Sequence, residues 1–480
     1  MNNNTIVQKL WGLCDILRDD GITYHQYVTE LTLLLFLKMA QETGTEHRLP
    51  EGSRWVDLKA LTGLKQHNHY RQMLVTLGRA PDALVSGIYI NAATSIKEPR
   101  HLAQLVDDID GLDWFTARQD GLGDLYEGLL QKNANEVKSG AGQYFTPRPL
   151  IRAMVEVMKP QPGEVVQDPS AGTAGFLIAA DTYIKQQTDD LFTLTEVQQE
   201  FQRKRAFVGM ELVPDARRLA LMNCMLHNID GGAAGPVMVG NTLSGEGQRL
   251  PPADLILANP PFGTKKGGGL PSRDDFSFPT SNKQLAFLEH IYRGLKPGGR
   301  AAVVLPDNVL FEGNVGRQIR ADLMDKCHLH TLLRLPTGIF YAQGVKTNVL
   351  FFQRNAKARQ VTGSTRAVWV YDLRANMPAF GKRTPFTAEH LQPFVQAYGP
   401  KADGRSPRAD EGETGRWRCF TREWIAERGD SLDISWLKDE SAEDAADLPE
   451  PAALAQSAMQ ELEGAMAELE AILAELGEEA

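Results

Sequence analysis

The chain has 480 residues, 42% of them apolar, which is enough for two to four domains with their own hydrophobic cores. Its four cysteines lie at least 92 residues apart, so neither a disulfide framework nor a cysteine metal site is expected. The apolar run 31–37 is too short to cross a bilayer, and no basic segment precedes an apolar one at the start. We therefore expect a cytoplasmic protein with no membrane partner and no metal.

The net charge of −10 is unevenly distributed. Residues 439–480 contain thirteen Asp or Glu and no Lys or Arg, so residues 1–438 carry a net charge of +3. A body with so little excess positive charge lacks the dense basic stripe of a self-sufficient DNA-binding domain.

The first 135 residues have the apolar spacing of helices. Leu10, Leu13, Ile16 and Leu17 recur at helical intervals, and a leucine-rich run follows at 31–39. This pattern predicts an all-α domain over residues 1–135.

From residue 136 the pattern changes to short apolar runs, rich in β-branched residues, that alternate with helical stretches. The predicted strands lie at 164–167, 206–209, 254–257, 301–305 and 349–352. Strands that alternate with helices predict an α/β domain with a doubly wound, mostly parallel sheet over residues 136–400. Gly and charged residues dominate 400–416, which predicts an exposed loop at the start of a linker and C-terminal segment over 401–445.

The last segment, 446–480, has the periodicity of a coiled coil. Its apolar residues alternate at intervals of three and four: Ala452, Ala455, Met459, Leu462, Met466, Leu469, Leu473 and Leu476. Such a helix requires a helical partner, and it has no basic residue that would favour pairing with its own copy. The alternative is an amphipathic helix that folds back onto the body of the chain.

The motif Asn259-Pro260-Pro261-Phe262 directly follows the predicted strand at 254–257. Ligands of a doubly wound sheet bind at the carboxyl ends of its strands, and two prolines there stop the strand and fix a rigid turn. The Asn259 side-chain oxygen and the Pro260 carbonyl can accept hydrogen bonds from the two N–H groups of an amine, while Phe262 can stack on a planar substrate. In isolation, the same four residues are also typical of a turn before a buried Phe.

A second motif, Asp168-Pro-Ser-Ala-Gly-Thr-Ala-Gly-Phe176, lies between the first predicted strand and a helix that begins near Phe176. Gly172 and Gly175 allow a ligand to approach the backbone closely. The segment has neither the Lys of a P-loop nor a full GxGxxG, which favours an adenosyl group with an amino-acid tail over a phosphate. Glu211, at the end of the next strand, is placed to accept hydrogen bonds from a ribose diol, although it is also compatible with a simple surface carboxylate.

These residues resemble the modification (M) subunits of Type I restriction-modification systems, which are adenine-N6 DNA methyltransferases of the gamma class. The resemblance runs along almost the whole chain. It rests on the motifs at 142–149, 168–176, 209–211, 219–223, 259–262, 335–341, 346–352 and 433–437.

The resemblance implies an S-adenosylmethionine-dependent, Rossmann-like methyltransferase domain. It assigns the wall over the methionine moiety of the cofactor to six residues: Gln143, Tyr144, Phe145, Thr146, Pro147 and Arg148. It assigns the turn beneath the cofactor to Thr173, Ala174 and Gly175, and the ribose contact to Glu211. Asn241 stands where many methyltransferases have an Asp that contacts the cofactor adenine, and an amide oxygen can make the same hydrogen bond.

By the same resemblance, the chain methylates N6 of an adenine rotated out of double-stranded DNA. A separate specificity subunit selects the site, two copies of this chain join each specificity subunit, and a motor-nuclease restriction subunit completes the complex. Two alternatives remain open: an NPP-motif methyltransferase that acts on a protein glutamine or an rRNA guanine, and an assembly subunit that binds partner and DNA without chemistry.

Overall fold

The computed structural model describes residues 3–13, 16–17, 24–114, 146–262, 271–340, 346–356, 363–378, 380–381 and 384–438. The predicted cofactor residues Gln143, Tyr144 and Phe145 and the predicted coiled coil at 446–480 lie outside this part of the chain.

The amino-terminal region is helical, as its periodicity predicts. Its helices are α1 (Asn3–Gly12), α2 (Tyr24–Glu42), α3 (Trp55–Lys59), α4 (Gly63–Leu77), α5 (Ala83–Tyr89) and α6 (Pro99–Asp110). In α6, the residues Leu102, Leu105, Val106 and Ile109 form one buried face, because spacings of three and four return to the same side of a helix. These helices bury their apolar faces in a core that they share with the following domain.

Nine strands of the described chain form one sheet. They are β1 (Val166–Asp168), β2 (Phe207–Glu211), β3 (Val237–Val239), β4 (Ala253–Ala258), β5 (Leu295–Pro306), β6 (Cys327–Arg334), β7 (Thr347–Arg354), β8 (Ala367–Asp372) and β9 (Trp417–Thr421). Their order is β3-β2-β1-β4-β5-β7-β6-β8-β9. β7 is antiparallel to β5 and β6, β9 is antiparallel to β8, and the other neighbours are parallel. The predicted mostly parallel sheet is thus confirmed. From β1 the chain adds β2 and β3 on one side, then crosses back to add β4 and β5 on the other side, so the strand order changes direction between β1 and β4.

Helices cover both faces of the sheet. They are α7 (Arg148–Met158), α8 (Gly175–Gln187), α9 (Glu196–Lys204), α10 (Pro214–Leu226), α11 (Lys283–Gly294), α12 (Asp307–Phe311), α13 (Val315–Lys326), α14 (Gln392–Tyr398) and α15 (Arg422–Glu427). In β4, Leu255 and Leu257 belong to one hydrophobic core, whereas Ile256 and Ala258 belong to a second core on the other face. A strand buried on both faces reads as a continuous apolar run, which is why β4 was visible in the sequence.

The helical region and the sheet domain are joined by polar contacts as well as by the shared core. Arg218 of α10 donates to the carbonyls of Ile88 (2.7 Å) and Ile90 (3.1 Å), which lie at the end of α5. Arg48 forms ion pairs with Asp82 of its own region and with Asp230 just after α10. Helix α10 is therefore fixed on one side by the amino-terminal helices.

The sheet continues past residue 400, the predicted end of the α/β domain. β9 pairs with β8 as the edge strand, and Trp417 stacks on Trp369 with ring centroids 5.3 Å apart. The charged residues that suggested an exposed loop hold this edge, since Asp410 accepts from the Cys419 N–H and Glu411 from the Trp417 N–H. Residues 400–416 thus form the predicted loop, and two of its exposed carboxylates also bind the backbone of β9.

In the described part of the chain, no helix combines the length and the apolar character that a membrane span requires.

Candidate functional site

The first element of the site is the turn between β1 and α8. Gly172 has a φ of 52°, a left-handed conformation that favours glycine, and Ala174 adopts a φ of 66° directly before α8. Gly209 of β2 lies close beneath the turn, where a Cβ would be 2.9 Å from the Cβ of Ala171. The turn therefore lies against β2 with backbone groups rather than large side chains at its surface.

Glu211 connects this turn to the end of β2. One carboxylate oxygen accepts from the Gly172 N–H at 2.8 Å, and the other accepts from the Val213 N–H at 2.9 Å. A carboxylate has about four acceptor sites, so these two bonds orient Glu211 and leave it further accepting capacity. Next to it, the side chain of Leu212 is 60% exposed. A fixed acidic group and an exposed apolar side chain thus stand together at the carboxyl end of β2.

Asp168, the last residue of β1, is buried beside Glu211. Burial, together with the negative charge of Glu211, raises the pKa of the Asp168 carboxyl from 3.8 to about 7. Hydrogen bonds from Ser170 oppose this rise but do not cancel it. Burial also raises the pKa of Glu211. A cationic ligand nearby would stabilise the ionised forms of both carboxyl groups.

The loop after β3 forms the next wall. The side-chain oxygen of the exposed Asn241 accepts from the Leu243 N–H at 3.0 Å, and Thr242 donates through its hydroxyl to the Pro169 carbonyl at 2.6 Å. Arg273 donates to the Thr242 carbonyl at 2.8 Å while its guanidinium is held by Asp275. The loop is therefore bound both to the β1 turn and to the segment that precedes α11.

The NPPF turn follows β4 at the same edge of the sheet. The Asn259 side-chain nitrogen donates to the Thr146 hydroxyl at 2.9 Å, which fixes the orientation of the amide. Gln284 of α11 donates to the Pro261 carbonyl at 3.3 Å. The turn is thus anchored on one side to the start of α7 and on the other to α11.

Phe262 is 9% exposed and packs against Phe340 with ring centroids 5.8 Å apart and the planes 74° from parallel. Phe340 belongs to the connection between β6 and β7. An edge contact of this kind restricts the orientation of a ring while covering only part of its surface.

A cavity of about 550 Å³ lies between α7 and α8 and reaches the β1 turn. Among the predicted cofactor residues, it is lined by Arg148, Thr173 and Gly175, together with Asn223 of α10. Asn223 donates to the Thr173 carbonyl at 3.1 Å and so supports the turn from below. Asp168, Glu211 and Asn259 do not line this cavity, so it adjoins the candidate site rather than containing its polar centre.

The structure brings the predicted residues of β1, β2, β4 and α7 to one edge of the sheet, because parallel strands present their carboxyl ends together. Sequence reasoning did not identify the roles of Gln284, Phe340 and Asn223. Phe340 and Asn223 lie in motifs that carried the family resemblance, whereas no signal in the sequence pointed to Gln284. Among the described residues, no group of His, Cys, Asp or Glu has the arrangement of a metal site.

Comparison with known proteins gives a consistent result. Residues 117–444 match the family model "N-6 DNA Methylase". The chain is 57% identical to the Type I restriction enzyme EcoKI methylase subunit of Escherichia coli K12, over 96% of this chain and 93% of that protein.

Two solved structures are also similar. The crystal structure of the EcoKI M protein matches with a TM-score of 0.60 and 52% identity, over 98% of this chain and 96% of that one. A chain from a study of complex assembly and conformational transition of the type I R-M system matches with a TM-score of 0.70 and 26% identity, over 98% of both chains.

Proposed function

Because the chain belongs to the N-6 DNA methylase family, as a methylase subunit of a Type I restriction enzyme, we propose that it methylates N6 of an adenine rotated out of duplex DNA, at sites chosen by a separate specificity subunit. The observation that supports this most directly is the position of Asn259. Its oriented amide lies at the carboxyl end of β4, next to the strand whose end carries Asp168 and the glycine turn.

The residues at the ends of β1 and β2 fit S-adenosylmethionine. Glu211 would accept from the ribose hydroxyls, the exposed Leu212 would offer an apolar face to the adenine, and Asn241 would hydrogen-bond its polar edge. Asp168 supplies a negative charge that suits a cationic ligand. The positive φ of Gly172 provides the open backbone that such a ligand needs.

The described wall residues Thr146, Pro147 and Arg148 lie at the start of α7, on the side of the turn where we expect the methionine moiety. Bound S-adenosylmethionine supplies an electrophilic methyl group on a positively charged sulfur.

Residues of this chain activate the adenine amine by accepting hydrogen bonds from its two N–H groups. As the nitrogen takes the methyl group from sulfur, it gives up one proton to solvent. The lone pair of that amine is delocalised into the ring, which makes it a poor nucleophile. Acceptors at the Asn259 side-chain oxygen and the Pro260 carbonyl draw the nitrogen toward tetrahedral geometry, which localises the lone pair. Phe262 stacks on the base and holds it in line with the methyl group, so catalysis consists of positioning and hydrogen bonding.

Membership of the family also suggests which subunits the chain assembles with. We propose that the chain assembles with a specificity subunit, in two copies for each one, and with a motor-nuclease restriction subunit on double-stranded DNA. The net charge of +3 over residues 1–438 supports this, because the chain offers few phosphate contacts of its own.

The experiment that tests the proposal is methylation of DNA by the reconstituted complex, combined with sequencing of the host genome for N6-methyladenine. Methyl transfer to adenine should require both this chain and the specificity subunit. Transfer to a ribosomal RNA or to a protein glutamine, with none to DNA, would support the NPP-motif alternative instead.

A further inference from the structure

The guanidinium of Arg374 binds both ends of the connection between β6 and β7. Arg374, two residues beyond the end of β8, donates through Nε to the Leu335 carbonyl at 3.0 Å and through Nη2 to the Thr347 carbonyl at 2.9 Å. Leu335 is the first residue after β6, and Thr347 is the first residue of β7. The Leu335 N–H also donates to the Thr347 carbonyl at 3.0 Å. The two ends of the connection are therefore joined directly and are held in addition by one side chain from just beyond a third strand.

The Arg374 guanidinium is itself held in one orientation. Its two terminal nitrogens each donate to one carboxylate oxygen of Asp307 at 2.8 Å, and Asn348 donates to the same carboxylate at 2.7 Å. Burial opposes ionisation of Asp307, but its hydrogen bonds and ion pair with Arg374 outweigh burial and lower its pKa. The bidentate pair thus fixes the plane of the guanidinium, which a point charge cannot do.

Phe340 belongs to the connection whose ends Arg374 binds, and its ring packs edge-on against Phe262. The tight course of the connection depends on Gly338, which has a φ of 83° and where a Cβ would lie 2.0 Å from the Phe380 carbonyl oxygen. The Phe380 N–H in turn donates to the Thr337 carbonyl at 3.3 Å. A displacement of Leu335, five residues before Phe340, would therefore reach Phe340 and, through it, Phe262.

We propose that Arg374, oriented by Asp307, is a positioning residue for the target base: it holds the β6–β7 connection so that Phe340 braces Phe262 in the orientation that captures the adenine. This inference rests on the proposed function, because it takes Phe262 as the stacking partner of a base rotated out of DNA. Arg374 and Asp307 act through the connection and do not contact the base or the cofactor themselves.

The chain offers a matched control for a purely structural role. Arg300 pairs with both oxygens of Glu164 (2.7 and 2.9 Å) and donates to the carbonyls of Met158 and Lys159. The side chains of Arg300 and Arg374 are each 10% exposed. Arg300 lies six residues before the end of β5 and Asp307 directly after it, so the two ion pairs are roughly 20 Å apart along that strand. Loss of Arg300 removes the same kind of contact without reaching the site.

The test compares Arg374→Lys and Arg300→Lys in the complex with the specificity subunit. Base rotation is followed on a duplex with 2-aminopurine at the target adenine of the methylation site read from host DNA. The kcat is measured on the same duplex with adenine at that position, because 2-aminopurine has no N6 amine to methylate. We expect Arg374→Lys to reduce the fluorescence gain on binding and to lower kcat roughly tenfold, with the cofactor Kd unchanged, since a small misplacement of a bound group costs this much or more. Arg300→Lys should lower the melting temperature but keep the fluorescence gain and kcat of the wild type.

Asp307→Asn provides a second variant, because it keeps the shape of the acceptor while weakening its hold on the guanidinium. It should give the fluorescence defect of Arg374→Lys in reduced form. Equal fluorescence and kcat in wild type, Arg374→Lys and Asp307→Asn would overturn the inference, as would an equal defect in Arg300→Lys. A wild-type complex that methylates its site without any fluorescence gain would instead count against the rotated adenine of the proposed function.

Discussion

The side-chain nitrogen of Asn259 donates a hydrogen bond to the hydroxyl of Thr146 over 2.9 Å, between residues 113 positions apart in the sequence. Thr146 was predicted as part of the wall over the cofactor, and Asn259 as the acceptor for the target amine. The bond therefore links the two halves of the candidate site directly. In this orientation the amide nitrogen faces Thr146, and the oxygen has the acceptor role that the proposed function assigns to it.

The first prediction concerns this bond. Thr146→Val removes the hydroxyl at nearly constant volume, so Asn259 should lose its fixed orientation and kcat should fall roughly tenfold. Thr146→Ser retains the hydroxyl and should remain near wild type. Methylation kinetics and calorimetry with S-adenosylmethionine separate the roles: a weaker cofactor Kd with normal kcat would assign Thr146 to the cofactor alone.

The second prediction concerns the amide itself. Asn259→Ala should lower turnover on the order of 100-fold or more, because its hydrogen bond to the amine strengthens toward the transition state. Affinity for S-adenosylmethionine should stay within a few-fold of wild type, since Asn259 contacts the target rather than the cofactor. Full methylation activity of this variant in the complete complex would place the reaction elsewhere.

Much of this site could be predicted from the sequence because its signals are local. Strands buried on both faces need continuous apolar runs, which made β1, β2 and β4 recognisable. The candidate site residues Asp168 and Glu211 end the first two strands, and Asn259 directly follows β4. Since parallel strands end at one edge, the alignment of Asp168, Glu211 and Asn259 followed from the strand assignments alone.

The parts that could not be predicted depend on contacts between distant segments. The antiparallel direction of β7 is set by how the chain returns between β5 and β6, and no residue within the strand encodes it. Arg374 forms its ion pair with Asp307, which lies 67 residues earlier in the sequence. Gln284, in the first turn of α11, donates to the Pro261 carbonyl. The predicted exposed loop at 400–416 agrees with the structure, but the sequence did not indicate that β9 follows it. The contacts of Asp410 and Glu411 with the N–H groups of Cys419 and Trp417 are known only from the fold.

The third prediction concerns Glu211, both of whose carboxylate oxygens are oriented by backbone N–H groups. Glu211→Gln replaces one acceptor by an NH₂ group, which cannot accept from Gly172 or Val213 or from a ribose hydroxyl. Charge-assisted hydrogen bonds are about twice as strong as neutral ones, so the Kd for S-adenosylmethionine should rise roughly tenfold. Calorimetry on the isolated chain measures this, and an unchanged Kd would return Glu211 to a structural carboxylate of the turn.

The fourth prediction is a pH dependence of cofactor binding. Asp168 has a pKa of about 7, so it is mostly protonated at pH 6 and mostly ionised at pH 7.5. A cationic ligand favours the ionised form, so affinity should increase as pH rises through this range, by roughly eightfold if only that form binds.

Binding of S-adenosylmethionine near pH 6.5 should accordingly release protons to the buffer, which calorimetry in buffers of different ionisation enthalpy detects. Asp168→Asn cannot ionise and should bind weakly with a flat profile over the same range. A wild-type profile as flat as that of the variant would mean that Asp168 does not respond to the cofactor.

The last prediction concerns the carboxyl-terminal segment, which lies outside the described residues and rests on its heptad pattern. If residues 446–480 form a helix that joins a bundle on the specificity subunit, deletion of residues 450–480 should abolish or greatly weaken the complex. Cofactor binding by the isolated chain should survive, because the described residues proposed to bind the cofactor all lie between 146 and 241.

Double substitution of Leu462 and Leu469 by Glu should reproduce the deletion, because it places charge at two core positions of the bundle at a cost of several kcal/mol. Glu463→Gln, at a flanking position, is the matched control and should assemble normally. Native mass spectrometry reads the stoichiometry in each case, with two copies of this chain per specificity subunit expected for the wild type. A truncated chain that still assembles and methylates would assign the interface to another surface, and the helix would then be a support folded against its own chain.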